Sequence, residues 1–206
     1  MNAKDFWNKL AENYDINVNK KYADAYQKTI ELTREYVQAD DRLLDFACGT
    51  GIISNPIAAQ VQSITGIDIS ENMIAKARQK AEQEGISNIS YKVATLEDEA
   101  TQGGTYDVIS AFNVLYFLRD LDEKLTQIYN MLPEKGYFLS VTDCVAKRKG
   151  LKPFIMDILM KLKILPFIHY MTAEELTAHI EKAGFKIVRV ENLFPDPPNL
   201  YVVAQK

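Results

Sequence analysis

Cysteine and histidine are both scarce. The 206 residues hold only Cys48 and Cys144, so no disulfide framework is implied. The two histidines are His169 and His179, and no His/Cys/Asp/Glu spacing resembles a ligand set, so no metal is expected. A basic excess is also missing. Lys and Arg number 24 against 28 Asp and Glu, for a net charge of -4. The isoelectric point near 5.3 removes the electrostatic basis of nonspecific nucleic-acid binding, and no nucleic-acid partner is expected. No apolar run approaches the roughly 18 residues of a membrane span. Residues 1–10 mix charges with apolar residues and lack the apolar centre of a signal peptide. The expected location is therefore a reducing cytoplasm. Repeats and low-complexity linkers are absent, which fits one domain of ordinary length. What is present is apolar mass: 47% of the chain is hydrophobic, enough for a large core.

The most informative stretch is 43–51. Leu43 and Leu44 read as a short buried strand that ends on the carboxylate of Asp45. A turn of small residues follows, Ala47, Gly49 and Gly51, and a helix resumes at Ile52. Glycine in such a turn lets backbone approach a ligand closely, and the helix start offers unpaired N–H groups. A dinucleotide fingerprint would need glycines at 47, 49 and 52, where the chain has Ala47, Gly49 and Ile52. A second strand, 63–68, ends on Asp68, where a carboxylate can accept both hydroxyls of a ribose. Ser70 caps a helix over 71–84, closed by Gly85.

Asp45 with Cys48, Gly49, Thr50 and Gly51, followed by Asp68, Ser70 and Met73, resembles the class I S-adenosylmethionine (SAM)-dependent methyltransferases of small-molecule type. The resemblance covers 43–142 by order and spacing. It implies a doubly wound α/β fold, a mostly parallel seven-stranded sheet of order 3-2-1-4-5-7-6 with the seventh strand antiparallel. It also implies SAM as cofactor, with S-adenosylhomocysteine (SAH) as its product. The cofactor-binding set it implies is Tyr14, Asp45, Ala47, Gly49, Gly51, Asp68, Ile69, Met73, Thr95, Leu96 and Phe112. The family commonly has an acid after the third strand, where this chain has Thr95; a hydroxyl can accept the same bond without charge assistance. The Asp/Asn-Pro-Pro-Tyr element of base-modifying enzymes is replaced by 112–115, Phe-Asn-Val-Leu. Asp196, Pro197, Pro198 and Asn199 read instead as a turn between the last two strands.

The flanks set further expectations. Residues 1–38 form an N-terminal helical cap, with helices over 4–14 and 21–38 separated by a break at 13–15. Helices are also expected over 52–60 and 121–132, and strands over 89–93, 106–111, 137–142, 185–191 and 200–204. Thr172 and Glu175 make a capping box for a helix that stops at Gly184. Residues 147–171 are unusual. Leu151, Phe154, Ile155, Ile158, Leu159, Leu162 and Leu165 make one apolar stripe. Six basic residues and one acid between 147 and 163 give that stretch +5. It is expected to be a lid with its stripe turned inward; a core helix or a peripheral membrane contact through 151–165 are the alternatives. Candidates for a base or orienting group are Tyr14, Tyr116, Asp143, His169 and Tyr170, while His179 and both cysteines read as structural. The expected activity is methyl transfer to a small apolar or amphipathic acceptor. The alternatives are a SAM-binding protein without transfer, or a protein or nucleic-acid methyltransferase.

Overall fold

The computed structural model describes residues 2–101, 103–145, 155, 158–160, 162 and 164–206. Seven strands make one sheet: β1 Arg42–Phe46, β2 Ser63–Asp68, β3 Ile89–Val93, β4 Val108–Phe112, β5 Tyr137–Asp143, β6 Lys186–Pro195 and β7 Pro198–Gln205. Their order is β3-β2-β1-β4-β5-β7-β6. The first five run parallel, while β7 lies antiparallel to both β5 and β6. The central strands are apolar on both faces because helices cover both faces. In β1, Leu43 joins one core cluster and Leu44 the other; in β4, Val108 and Ile109 divide the same way.

Three helices precede the sheet, α1 Ala3–Leu10, α2 Tyr14–Lys21 and α3 Ala23–Arg34. The remainder are α4 Ser54–Ile57, α5 Glu71–Gln83, α6 Leu96–Thr101, α7 Leu121–Met131 and α8 Ala173–Lys182. One face of the sheet packs Leu121, Leu125 and Ile128 of α7 with Leu176 and Ile180 of α8. The other packs Ile30 and Leu32 of α3 with Ile57 of α4. The capping box expected at Thr172 and Glu175 is formed at the start of α8. The Ser70 side chain accepts from Met73 N at the start of α5. Pro197 sits in the β6–β7 turn, where the Asp196–Pro197 bond is cis, and Pro198 opens β7.

Three local readings are corrected. A break was expected at 13–15 and no helix before 21, but residues 14–21 form α2; Val18 is the one buried residue on it, so sequence periodicity carries little signal there. Its place comes from tertiary bonds, described below. The helix expected over 52–60 is a short α4 followed by a 3-10 turn, Ala58–Gln60. The loop after β3 contains α6, whose entry is capped by Thr95: its hydroxyl accepts from Asp98 N at 3.2 Å and donates to Asp98 Oδ2 at 2.9 Å. Within the expected lid, Leu151 and Phe154 lie outside the described residues. Ile155, Ile158 and Leu162 are 46%, 40% and 63% exposed, so these three face solvent and not the interior.

Candidate functional site

β1 is the central strand at which chain direction across the sheet reverses: β2 and β3 continue to one side, β4 and β5 to the other. In such sheets the crevice beyond the carboxyl ends of the strands is where ligands bind. The turn after β1 lies there. Its backbone takes φ 60° at Ala47, 56° at Gly49 and 72° at Gly51. Cys48 N bonds to Ile67 O at 3.0 Å, tying the turn to β2. Gly51 could not carry a side chain, since an added Cβ would fall 2.3 Å from Tyr91 Oη. Tyr91 fills the space beneath the turn and donates to Asn55 Oδ1 at 2.6 Å. At Gly49 an added Cβ would meet nothing within 4 Å, so that side of the turn is open.

Two carboxylates flank the turn and differ in role. Asp45 is buried, and it accepts from Ser54 Oγ and, at 2.8 Å, from Ser110 Oγ. Burial pushes its carboxyl up to about 6, against the pull of those two hydroxyls. It borders a recess of about 30 Å³ beside Tyr14, Tyr26 and Gly49. Asp68 ends β2 and accepts from Gly49 N at 3.0 Å and Ser70 N at 2.8 Å. Burial raises its carboxyl too, while those N–H groups pull it down. Asp68 therefore holds the turn in place as well as facing the crevice.

The N-terminal helices close the crevice. Asn8 Oδ1 accepts from Ser70 Oγ at 2.7 Å, and Asn72 Nδ2 donates to Asn8 O at 3.0 Å, docking α1 on the start of α5. Asp15 on α2 accepts from Thr50 Oγ1 at 2.5 Å and pairs with Lys80 Nζ at 2.6 Å. These bonds clamp α2 over the glycine turn. Trp7 then packs edge-on against Phe117, ring centroids 5.1 Å apart.

Two cavities result. The first, about 180 Å³, is lined by Gly49, Asp68, Ile69, Met73, Ala94 and Phe112 among others. The second, about 280 Å³, is lined by Tyr22, Tyr26, Tyr116, Asp143 and Asn199 among others. Trp7, Tyr14 and Asn113 line both. A polar chain crosses the second cavity. Tyr14 Oη and Tyr26 Oη share a hydrogen bond of 3.0 Å, and Asn113 Nδ2 donates to Tyr26 Oη at 3.4 Å. Asn199 Nδ2 donates to Asn113 Oδ1 at 3.1 Å and to Asp143 Oδ1 at 2.7 Å. Asn113 has φ 57°, a left-handed conformation that asparagine tolerates better than most residues. Burial pushes the Tyr14 hydroxyl up to about 12 and those of Tyr26 and Tyr116 well above their ordinary range. All three stay neutral at physiological pH. Burial raises Asp143 as well, opposed by Asn199 and Lys21.

Of the residues singled out in the sequence, Tyr14, Ala47, Gly49, Asp68, Ile69, Met73 and Phe112 meet around the first cavity. Asp45 stands behind them at the small recess, and Gly51 sits over Tyr91. Thr95 and Leu96 line neither cavity: the Thr95 hydroxyl is held by Asp98, and Leu96 is core. Tyr116 lines the second cavity and His169 neither, although His169 N donates to Tyr116 O at 2.6 Å. His179 bonds through Nδ1 to Asp122 at 2.5 Å, and both cysteines are free and buried. No metal-binding cluster occurs among the described residues. No helix among them is long and apolar enough to cross a membrane. Sequence reading missed Trp7, Asp15, Asn113 and Asn199 as site residues. Asn113 alone left a local trace, directly after a buried strand; the others acquire their places only through packing.

A methyltransferase domain model matches residues 14–190. The ubiquinone biosynthesis O-methyltransferase of Sinorhizobium fredii is 28% identical over 162 residues, covering 76% of this chain and 64% of that protein. Its counterpart from Cereibacter sphaeroides is 30% identical over 164 residues, with 76% and 64% covered. The chain thus spans just under two thirds of the length of these relatives. Among solved structures, magnesium protoporphyrin IX methyltransferase (ChlM) from Synechocystis PCC 6803 with bound SAH superposes with a TM-score of 0.73 at 18% identity. That superposition covers 98% of this chain and 97% of the other, a likeness of fold. With the domain matched across most of its length and the sheet ordered as that fold requires, the chain belongs to the class I SAM-dependent methyltransferase family.

Proposed function

We propose that this protein transfers the methyl group of SAM to a small-molecule acceptor held in the second cavity. The observation that carries the reading is the shared wall: Trp7, Tyr14 and Asn113 line both cavities, so two ligands would meet there. The residues around the first cavity fit SAM. Asp68 is a buried carboxylate at the end of β2, suited to a ribose diol. The open side of Gly49 admits close approach, and Ile69, Met73 and Ala94 offer apolar surface for a purine. When bound, SAM supplies an electrophilic methyl on a sulfonium, so the reaction needs no nucleophilic triad.

The work left to the chain is orientation and exclusion of water. Trp7 on Phe117 and the α2 clamp through Asp15 close the crevice. Tyr14, Tyr26, Asn113 and Asn199 hold one another and leave little freedom at the shared wall. Where the acceptor carries a proton, Asp143 and the tyrosines are the groups within the cavity that can receive or relay it. The 147–171 segment, proposed as a lid over the acceptor, meets this region through Met160, Leu165, Pro166 and Phe167. With Trp7 and Phe117 they line a groove of about 560 Å³.

The test is twofold. Calorimetry should find SAM and SAH binding in the micromolar range. A screen of small phenols, amines and thiols should then find SAH release above the acceptor-free background. Absence of SAM binding overturns the family function for this chain; SAM binding with no acceptor in a broad screen favours a binding protein without transfer.

A further inference from the structure

The second cavity has a composition that selects the charge of what enters it. Five aromatic rings line it, from Trp7, Tyr14, Tyr22, Tyr26 and Tyr116, and the single carboxylate among its lining residues is that of Asp143. No cationic side chain is part of that lining. Lys21 stands over the ring of Tyr22, 4.7 Å from its centroid, and lowers the Asp143 carboxyl from there. Asp143 makes no ion pair among the described residues. Its Oδ1 is fixed by Asn199 Nδ2 at 2.7 Å, which fixes the plane of the carboxylate.

An aromatic wall with one oriented carboxylate is a site for an ammonium group. Ring faces attract cations through their quadrupole, more strongly when the site is desolvated. A carboxylate turned toward such a site adds a charge-assisted hydrogen bond. A carboxylate or phosphate ligand would instead meet Asp143 with like charge and find no cation in the lining. A neutral alcohol could donate to Asp143 but would bring no charge to balance the buried carboxylate. We infer that the acceptor is a small primary or secondary amine, bound as its ammonium between the tyrosines and Asp143. This rests on the methyl-transfer reading and narrows it to nitrogen.

The chemistry balances with groups already present. Asp143 takes one proton from the ammonium, which frees the nitrogen lone pair. That pair forms the new N–C bond as the S–C bond of SAM breaks, and its electrons remain on sulfur, giving the neutral thioether of SAH. The product leaves as the methylated ammonium, with the transferred proton still on Asp143 until solvent removes it. Burial already favours the protonated form of Asp143. The other titratable groups around it are Tyr22 between α2 and α3, Tyr26 from α3, Tyr116 after β4, Lys21 from α2 and Cys144 beside it. Tyr26 and Tyr116 stay neutral and Lys21 stays charged across the range where Asp143 titrates.

Trp7 is the only tryptophan and lines both cavities, so its fluorescence reports on each without requiring turnover. The full-length protein, saturated with SAH, would be titrated with benzylamine, benzyl alcohol and benzoate, three probes of one size and different charge. Benzylamine should bind at least about tenfold more tightly than either of the others, the scale of a desolvated cation–π contact plus a charged hydrogen bond. Asp143→Asn keeps an acceptor for Asn199, and SAH binding serves as its folding control. In that variant the preference for benzylamine should fall several-fold, to what the ring faces alone supply. Equal binding of benzylamine and benzyl alcohol by the wild-type protein overturns the inference, as does a preference left undiminished by Asp143→Asn. If the wild-type protein binds no SAH, the methyl-transfer reading fails and the inference falls with it. If SAH binds and amine preference is absent, the inference fails alone.

Discussion

Replacing Asp45 by asparagine isolates the energetic consequence of a buried acid at the head of the glycine turn. The Asp45 carboxyl is lifted from an ordinary 3.8 to about 6, first by burial, with Ser54 and Ser110 opposing. Its folded-state value lies above its unfolded value, so the folded protein binds more protons between the two. The stabilising contribution is therefore fully present below about pH 3.8 and is lost as pH rises through about 6. Roughly two pK units at about 1.4 kcal/mol each make that loss on the order of 3 kcal/mol. Asparagine has the same shape, still offers an acceptor to one serine, and does not titrate. Asp45→Asn should gain on the wild type by about 3 kcal/mol between pH 4 and 7. Asp41, Asp68 and Asp143, all raised by burial, titrate in both proteins and largely cancel in the difference. The assay is urea unfolding followed by Trp7 fluorescence at half-unit pH steps. A difference that does not change with pH would show that the two serine hydroxyls fully offset burial. A difference of the opposite slope would show that they outweigh it, and the reasoning would be wrong.

Three other outcomes follow from the same geometry. Asp68→Ala removes the acceptor for Gly49 N and Ser70 N; calorimetry should show SAM binding weakened by about 1.5–3 kcal/mol, on the order of 10–100-fold in Kd, together with a lower melting temperature. Gly49→Ala should lose about 1–2 kcal/mol of stability from its left-handed backbone alone. Gly51→Ala should lose more, because its Cβ would strike Tyr91. Equal losses in thermal unfolding would mean that Tyr91 yields. His169 lines neither cavity, so His169→Ala should leave the transfer rate within about threefold of wild type, whereas loss of a general base costs about 10²–10⁴-fold.

The glycine turn and the carboxylate beside it, the part proposed to hold the cofactor, were legible in the sequence because their requirements are local. A strand, a turn at positive φ and a helix start follow one another within 43–57, and Asp68 ends the next strand of the same β-α-β unit. Each demand falls on a residue type that few others can replace, as at Gly51 above Tyr91. Sheet order came with the family resemblance that those residues carry, and the structure has that order. Thr95 shows where local reading stops. Its hydroxyl was free to serve adenine on paper, but Asp98, three residues on, takes it to cap a helix. The cavity proposed for the acceptor was legible only as scattered residues: Tyr14, Tyr116 and Asp143 stood among the candidates for a base or orienting group, but nothing in the sequence gathered them into one cavity. Trp7, Tyr26, Asn113, Asp143 and Asn199 come from α1, α3, the turn after β4, and strands β5 and β7. No spacing rule links them, because their proximity is created by β7 pairing antiparallel with β5 and by α1 docking on α5 through Asn8. The sequence by itself determined the glycine turn proposed to hold the methyl donor, since backbone conformation there is dictated residue by residue. Only the tertiary structure decided that an aromatic wall faces one carboxylate beside that shelf, since long-range packing alone brings those side chains together.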